Sequence, residues 1–352
     1  MGKVIVSGAS GQFGNAAAKM LLEQIPAEDL IVFSRSPDKL AEFAEAGAHV
    51  RQGDFDDSAS LVSAMEGGEK LLLISTVRVG SRVEQHTAAV EAAKAAGVRH
   101  VAYTSLLGVR KPGNPSVEGF DHLATEKMIE ASGLAWTFLR NSLYAEAVAT
   151  AMAIPALLAG HKPENAGRGR VPIVSRDDCV ATAVGVLTQD GHVNKAYDVT
   201  GPELWALPDA MALVSQMAGK PIEIELVDDE GMYAYFDSLG VPRKASDVIP
   251  DGPIPWASEG MVTFGQSIRE GFMDIASDDV ERVTGRAPRT RRSVCEQLRG
   301  FLPVMRSTSS ESISMKPSRI DWPNVTMPSL AHGIGPSGTT SDALRATPSE
   351  SK

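Results

Sequence analysis

In the stretch GFDHLATEKM (119–128), His122 and Glu126 stand four residues apart. On a helix that spacing puts both on one face. Many chains that open on a glycine turn carry, on the corresponding helix, a Tyr followed four residues later by a Lys, and that pair runs acid chemistry. Here the two positions read His and Glu. A metal would need more ligands than one His and one Glu. The sequence offers no H-E-x-x-H and no Cys/His set to complete such a site, so no metal is expected. Phe120, Ala124, Met128 and Ala131 form the expected apolar stripe of this helix. At about 100° per residue, His122 and Glu126 should then lie on the opposite side. They would be either a solvated pair, worth a few tenths of a kcal/mol, or residues facing a cleft.

A second set of residues could hold a phosphate-bearing ligand. VIVSGASGQFG places Gly8, Gly11 and Gly14 between an apolar run and an amphipathic one, with Ser10, Gln12 and Phe13 in the same turn. Small residues let backbone approach a pyrophosphate, and the following helix start offers unpaired N–H groups with the positive end of the helix dipole. The context of first strand and first helix points to dinucleotide binding. The next apolar run ends LIVFSRS, with Ser34 and Arg35 and no carboxylate. An acidic residue there would bind a ribose hydroxyl and repel a 2′-phosphate, whereas a guanidinium pairs with it. NADPH is therefore favoured over NADH, with Lys39 a further positive charge. In GDFDD, Asp54 is placed to accept from an adenine amino group and Asp57 to cap a helix. Ser75 and Thr76 end the fourth apolar run, where the nicotinamide side of the cofactor would pass.

The elements that must position these residues follow from the rhythm of the chain. Short, continuously apolar runs (VIVSGAS, LIVFS, HVRQGDF, KLLLIST, HVAYTS and LAWTFLRN) alternate with amphipathic stretches over the first part of the sequence. That order predicts a doubly wound parallel α/β sheet with helices on both faces. Residues 1–155 are expected to form this dinucleotide-binding domain and 156–302 a smaller α/β substrate lobe, from which KAYDVTG could return to the main sheet. AMAIPALLAG reads as helical as far as Pro155, and the Ser-, Pro- and Thr-rich stretch 303–352 as a disordered tail. Trp136, Trp205 and Trp256 are expected to pack, and Arg140 is weighed evenly between an ion pair and a ligand contact.

Composition narrows the class. The 352 residues are 43% hydrophobic and 22% charged, with a formal net charge of −10. That balance argues against a general binder of nucleic acid or anionic membranes. Cys179 and Cys295 are far apart, so no disulfide framework is expected. MGKVIVSG enters a strand with no leader pattern, and no apolar run is long enough to span a bilayer. The expectation is a cytoplasmic protein.

VSGASGQFG, EKLLLIST, AAKAAGVRHVAYTSLL, HLATEKM and TFLRNSLYAE together resemble the atypical short-chain dehydrogenase/reductases related to the NmrA-like proteins. Within that group the similarity is to its quinone oxidoreductases and triphenylmethane dye reductases, and it runs with gaps from Met1 to about Leu302. The resemblance implies an NADPH-dependent reductase of quinones or quinone-like conjugated acceptors. It implies that Gly8, Ser10, Gly11, Gly14, Arg35 and Ser75 bind cofactor, and that Thr104, Asn141 and Tyr144 line the nicotinamide and acceptor pocket. Ser10 stands where such proteins often carry Thr, and VRKPGNPSVEGF is longer than usual. Without a Tyr–Lys pair, ketone chemistry is disfavoured, because an alkoxide needs a positioned acid. A delocalised phenolate-type anion does not, so His122 is expected at most to help place or protonate the acceptor. Azo or triphenylmethane dye reduction is the alternative activity, and an NADP(H)-sensing regulator without turnover is the alternative class.

Overall fold

The computed structural model describes residues 2–79, 81–248, 256–290 and 293. Cys295 and the expected tail, 303–352, lie outside the described residues. The strands are β1 (Val4–Val6), β2 (Leu30–Ser34), β3 (His49–Gln52), β4 (Lys70–Leu73), β5 (His100–Leu106), β6 (Ala135–Asn141), β7 (His161–Glu164), β8 (Arg170–Val171), β9 (Lys195–Val199), β10 (Trp205–Ala206) and β11 (Glu223–Leu226). The helices are α1 (Gln12–Leu22), α2 (Ala41–Glu45), α3 (Ser58–Met65), α4 (Arg82–Ala95), α5 (Val117–Ala131), α6 (Ala145–Ala147), α7 (Ile154–Ala159), α8 (Arg176–Thr188), α9 (Leu207–Ala218), α10 (Asp229–Ser238), α11 (Ser258–Arg269) and α12 (Asp279–Thr284).

Seven strands form one sheet in the order β3-β2-β1-β4-β5-β6-β9, and all its pairings are parallel. The chain winds one way from β1 to β3 and the other way from β4 onward. The crevice between β1 and β4 is therefore the switch point where such sheets bind ligands. Every residue of β1 and β2 is buried, because helices cover both faces. On one face α1, α2, α8 and α12 pack through Phe13, Leu21, Phe43, Val184 and Val283. On the other, α3, α4 and α5 pack through Leu61, Met65, Val90 and Ile129.

KAYDVTG does return to the main sheet: β9 lies beside β6, pairing Leu139 with Tyr197. The remaining second-half strands make two small sheets, β10 with β8 and β11 with β7, around apolar clusters that contain Trp205, Met211 and Phe264 or Met232, Phe236 and Trp256. Pro155 does not end its helix. A π-helical stretch, Val148–Ala153, runs into α7, where Pro155 takes a first-turn position. The wider π-helical turns that precede it accommodate a residue that cannot donate into the i→i−4 ladder. Gly160, at φ 72°, ends the helix instead. Among the described residues no helix is long and apolar enough to cross a membrane.

Helix α5 reverses the expected facing. Its buried residues include Asp121, His122, Thr125, Glu126 and Ile129, whereas Phe120 is 58% exposed. Phe120 and Leu123 line an outward cleft of about 280 Å³ together with Arg110, Lys111 and Lys127. The inversion is tolerated because the buried polar groups find partners. Glu126, 0% exposed, accepts from Ser105 Oγ at 2.7 Å, Arg110 Nε at 2.7 Å, and Arg140 Nε and Nη2 at 3.0 Å each. His122 and Glu126 thus bond to different groups rather than to each other, and Arg140 is the structural ion pair. A buried carboxylate needs such donors to remain charged. Here they come from β5, β6 and the β5–α5 loop, so one side chain fixes the seat of α5. Glu126→Ala should lower stability by roughly 2–4 kcal/mol in urea unfolding, the lower part of the range reflecting the water that still reaches Arg110. A loss under about 0.5 kcal/mol would show that the hub does not anchor the helix.

Candidate active site

The glycine turn is set by backbone contact. Gly8 has φ +58°, a left-handed conformation that favours glycine, and Gly11 N–H donates to Gly8 C=O at 2.9 Å. A Cβ on Gly14 would meet the Gly8 oxygen at 2.6 Å and Ala9 Cα at 2.9 Å, so α1 crosses the turn at a distance that excludes a side chain. Gly11 gives α1 no side-chain cap and the first turn has no acidic residue. The N–H groups of Gln12, Phe13 and Gly14 are thereby left for an anion.

The turn is tied to the end of β2 by a 2.7 Å hydrogen bond between Ser10 Oγ and Ser34 Oγ, and Ser36 N–H donates to Ser34 Oγ at 3.1 Å. Arg35 and Lys39 are exposed beside them. After β3, Asp54 Oδ1 accepts the Asp56 N–H at 3.1 Å, while Asp57 caps α3 through the N–H groups of Ala59 and Ser60. Asp56 is held by Arg78 and by Gln85, at 3.0 and 2.8 Å.

At the carboxyl ends of β4 and β5, Ser75 N–H donates to Thr104 Oγ1 at 2.8 Å, and Thr104 Oγ1 lies 3.4 Å from Ser75 Oγ. Where β6 ends, Asn141 Nδ2 donates to the Tyr144 hydroxyl at 2.8 Å. The Tyr144 ring lies 6.4 Å from that of Phe13 and 5.7 Å from the Arg176 guanidinium. Burial, followed by the Cys179 thiol, pushes the Tyr144 hydroxyl above its ordinary range, so it is a neutral phenol. Asn141 Oδ1 is buried with no hydrogen-bond partner among the described residues. An orphaned acceptor at a strand end, beside a turn closed to side chains, fits a ligand that brings an amide donor and a pyrophosphate. These residues could hold a nicotinamide dinucleotide. Trp136 stacks on Phe138 with centroids 4.2 Å apart, Trp205 is buried and Trp256 packs edge-on to Phe236.

His122 belongs to a buried cluster on the α5 side, joined to the end of β4 through the backbone of Thr76. Its Nδ1 is hydrogen-bonded to the Tyr103 hydroxyl at 2.8 Å. His86 Nδ1 lies 2.9 Å from Thr125 Oγ1, and its Nε2 accepts the Thr76 N–H at 3.1 Å, so His86 carries its proton on Nδ1. Burial first, then the nearby Arg82 charge, lowers His86 to about 3. Burial, Arg82 and then His86 hold His122 well below its ordinary value. Both are neutral imidazoles, so His122 is no ready acid. The cluster also contains groups the motif reading passed over: Arg82, Tyr103, His86 and Glu118. Arg82 had a visible signal, because a cation opening a helix opposes the helix dipole.

Unfolding frees both imidazoles to take up protons below about pH 6.5, their ordinary value. The unfolded chain therefore binds more protons there, and stability rises with pH. Each group should remove about 1.4 kcal/mol per pH unit on acidification below that value, for His86 down to about 3, and nothing above it. Urea unfolding at about pH 7 and pH 5 checks this, and unchanged stability would contradict neutral imidazoles.

Comparison with known proteins agrees with this geometry. A family model described as NAD(P)H-binding matches residues 8–190. The chain is similar to quinone oxidoreductase 2 of Escherichia coli K12, with 36% identity over 258 residues covering 73% of this chain and 89% of the relative. The crystal structure of the Escherichia coli NADPH-dependent quinone oxidoreductase complexed with NADPH superposes with a TM-score of 0.74 at 32% identity, covering 85% and 99% of the two chains. The Citrobacter sp. triphenylmethane reductase complexed with NADP(H) gives 0.71 at 29% identity, covering 84% and 99%. The chain belongs to the NAD(P)H-binding family and is an NAD(P)H-dependent reductase with NmrA-like relatives.

Proposed function

We propose that this chain transfers hydride from NADPH to a quinone or related conjugated acceptor. The carrying observation is the state of α5. Glu126 is consumed by Ser105, Arg110 and Arg140, and His122 is a neutral imidazole bound to Tyr103. Neither is poised to protonate an alkoxide, which favours an acceptor whose reduced anion is a weak base. The relatives named for quinone and triphenylmethane reduction support the same reading.

In this reading the N–H groups of Gln12, Phe13 and Gly14 bind the pyrophosphate, with Gly8 and Gly11 shaping the turn. Ser10 and Arg35 take the 2′-phosphate, and Asp54 the adenine amino group. Ser75, Thr104, Asn141 and Tyr144 orient the nicotinamide and the acceptor, the free Asn141 Oδ1 taking the carboxamide N–H. When bound, the dinucleotide supplies the hydride. The protein contributes orientation and exclusion of water, and His122 steadies the wall of the pocket through Tyr103.

An NADPH-oxidation screen over quinone, azo dye, triphenylmethane dye and ketone panels tests the assignment. Steady quinone turnover with little ketone turnover is expected. Tight binding with no turnover would instead mark a dinucleotide sensor. Arg35→Ala should weaken NADPH binding by roughly tenfold or more and leave NADH within about twofold, measured by nucleotide fluorescence; equal effects on both would remove Arg35 from the 2′-phosphate site. His122→Ala should reduce quinone kcat several-fold, and complete loss with intact cofactor binding would make it essential.

A further inference from the structure

We propose that Arg82, with the hydroxyl of Thr76, binds the acceptor oxygen on which negative charge collects during reduction, an assignment that rests on the quinone reading above. Arg82 opens α4, where a positive charge is disfavoured by the helix dipole, so helix stability does not explain it. It is only 5% exposed, and buried arginines are normally fully paired. Its Nε donates to the Thr76 carbonyl at 2.7 Å. Its Nη1, however, is buried without a hydrogen bond among the described residues; Asp121 Oδ2 faces it as an ion pair at 3.9 Å, beyond hydrogen-bond reach. Thr76 Oγ1 is a second buried polar atom with no partner among the described residues. Two unused donors thus sit on one short segment, one fastened to the other's backbone.

The segment is in the right place. Thr76 follows Ser75, whose N–H is bound by Thr104 at the carboxyl edge of the sheet, where the nicotinamide is expected. The charge facing the guanidinium is that of Asp121, an ion pair at 3.9 Å without a hydrogen bond. His86 and His122 are neutral, and Arg82 is among the causes in both. Of the two facing carboxyl groups, Glu118 is held toward its neutral form by burial and by Asp121, against the pull of Arg82. A Cβ on Gly260 would lie 3.8 Å from Glu118 Oε1 and 3.9 Å from Val79 Cγ2.

The chemistry needs such a group. Addition of hydride delivers two electrons to the acceptor, leaves NADP+, and places the excess charge on the conjugated carbonyl oxygen, which then takes a proton from water. A fixed cation and a hydroxyl in a water-poor site stabilise that oxygen most as the charge develops. A cationic triphenylmethane acceptor, which gains no oxygen anion, would draw no benefit from Arg82.

The test compares wild type, Arg82→Gln and Arg82→Lys. With NADP+ present, binding of 4-nitrophenol is followed by phenolate absorbance, NADPH affinity by fluorescence, and folding by circular dichroism. Wild type should favour the bound phenolate, and R82Q should lose this preference while keeping NADPH affinity within about twofold. Quinone kcat/KM should fall roughly 100-fold, with part of the activity recovered on adding guanidinium ion, while turnover of a cationic triphenylmethane dye should not fall. If R82Q does not fold, R82K keeps the charge without the fork and should lose about tenfold on quinone. Folded variants that keep phenolate preference and quinone turnover within about threefold would overturn the assignment. Absence of quinone turnover in wild type would instead overturn the functional reading, and Arg82-dependent phenolate binding would still show the oxygen site.

Discussion

A carboxylate sealed from water must be surrounded by donors or lose its charge, and in this molecule that constraint falls on Glu126. Two arginines and a serine, drawn from β5, β6 and the loop before α5, converge on it. The ion pair therefore determines more than stability. It sets which face of α5 meets the sheet, and with it the position of His122 beneath Tyr103 and of Glu118 one turn earlier. It also holds the loop that carries Arg110, which leaves Phe120 facing outward.

Once α5 is seated in this way, its polar residues cannot behave as a free acid–base pair. His122 and His86 share a buried neutral network with Tyr103 and Thr125. Charge in the cluster is concentrated on Arg82 and Asp121, while burial holds Glu118 toward its neutral form. A site of this kind stabilises an anion by a fixed positive field rather than by donating a proton. That distinction separates acceptors whose reduced form is a weak base from those that yield an alkoxide.

The other wall is built from backbone geometry. The glycine turn approaches α1 too closely for a side chain at Gly14, and Phe13 then reaches Tyr144 across the start of the second half of the chain. The π-helical stretch Val148–Ala153 lets the chain leave β6 and run on through Pro155 without breaking. β9 closes the sheet beside β6 while the smaller sheets pack around clusters of their own.

The sequence by itself determined what local physics dictates. Continuous apolar runs bury strands on both faces, glycine spacing shapes the turn between β1 and α1, and Asp57 caps α3; these depend on neighbours a few residues away. The helix face of α5 was not legible, because its hydrophobic period points the wrong way. The deciding partners of Glu126 are Arg110 and Arg140, 16 and 14 residues distant along the chain. The same holds for Arg82 against Asp121 and for Asn141 Oδ1, whose lack of a partner exists only once the fold has closed around it. Burial of a polar group is favourable or costly according to partners that only the tertiary structure supplies, and for that reason tertiary structure alone decided which polar residues hold the fold and which were left with unpaired atoms.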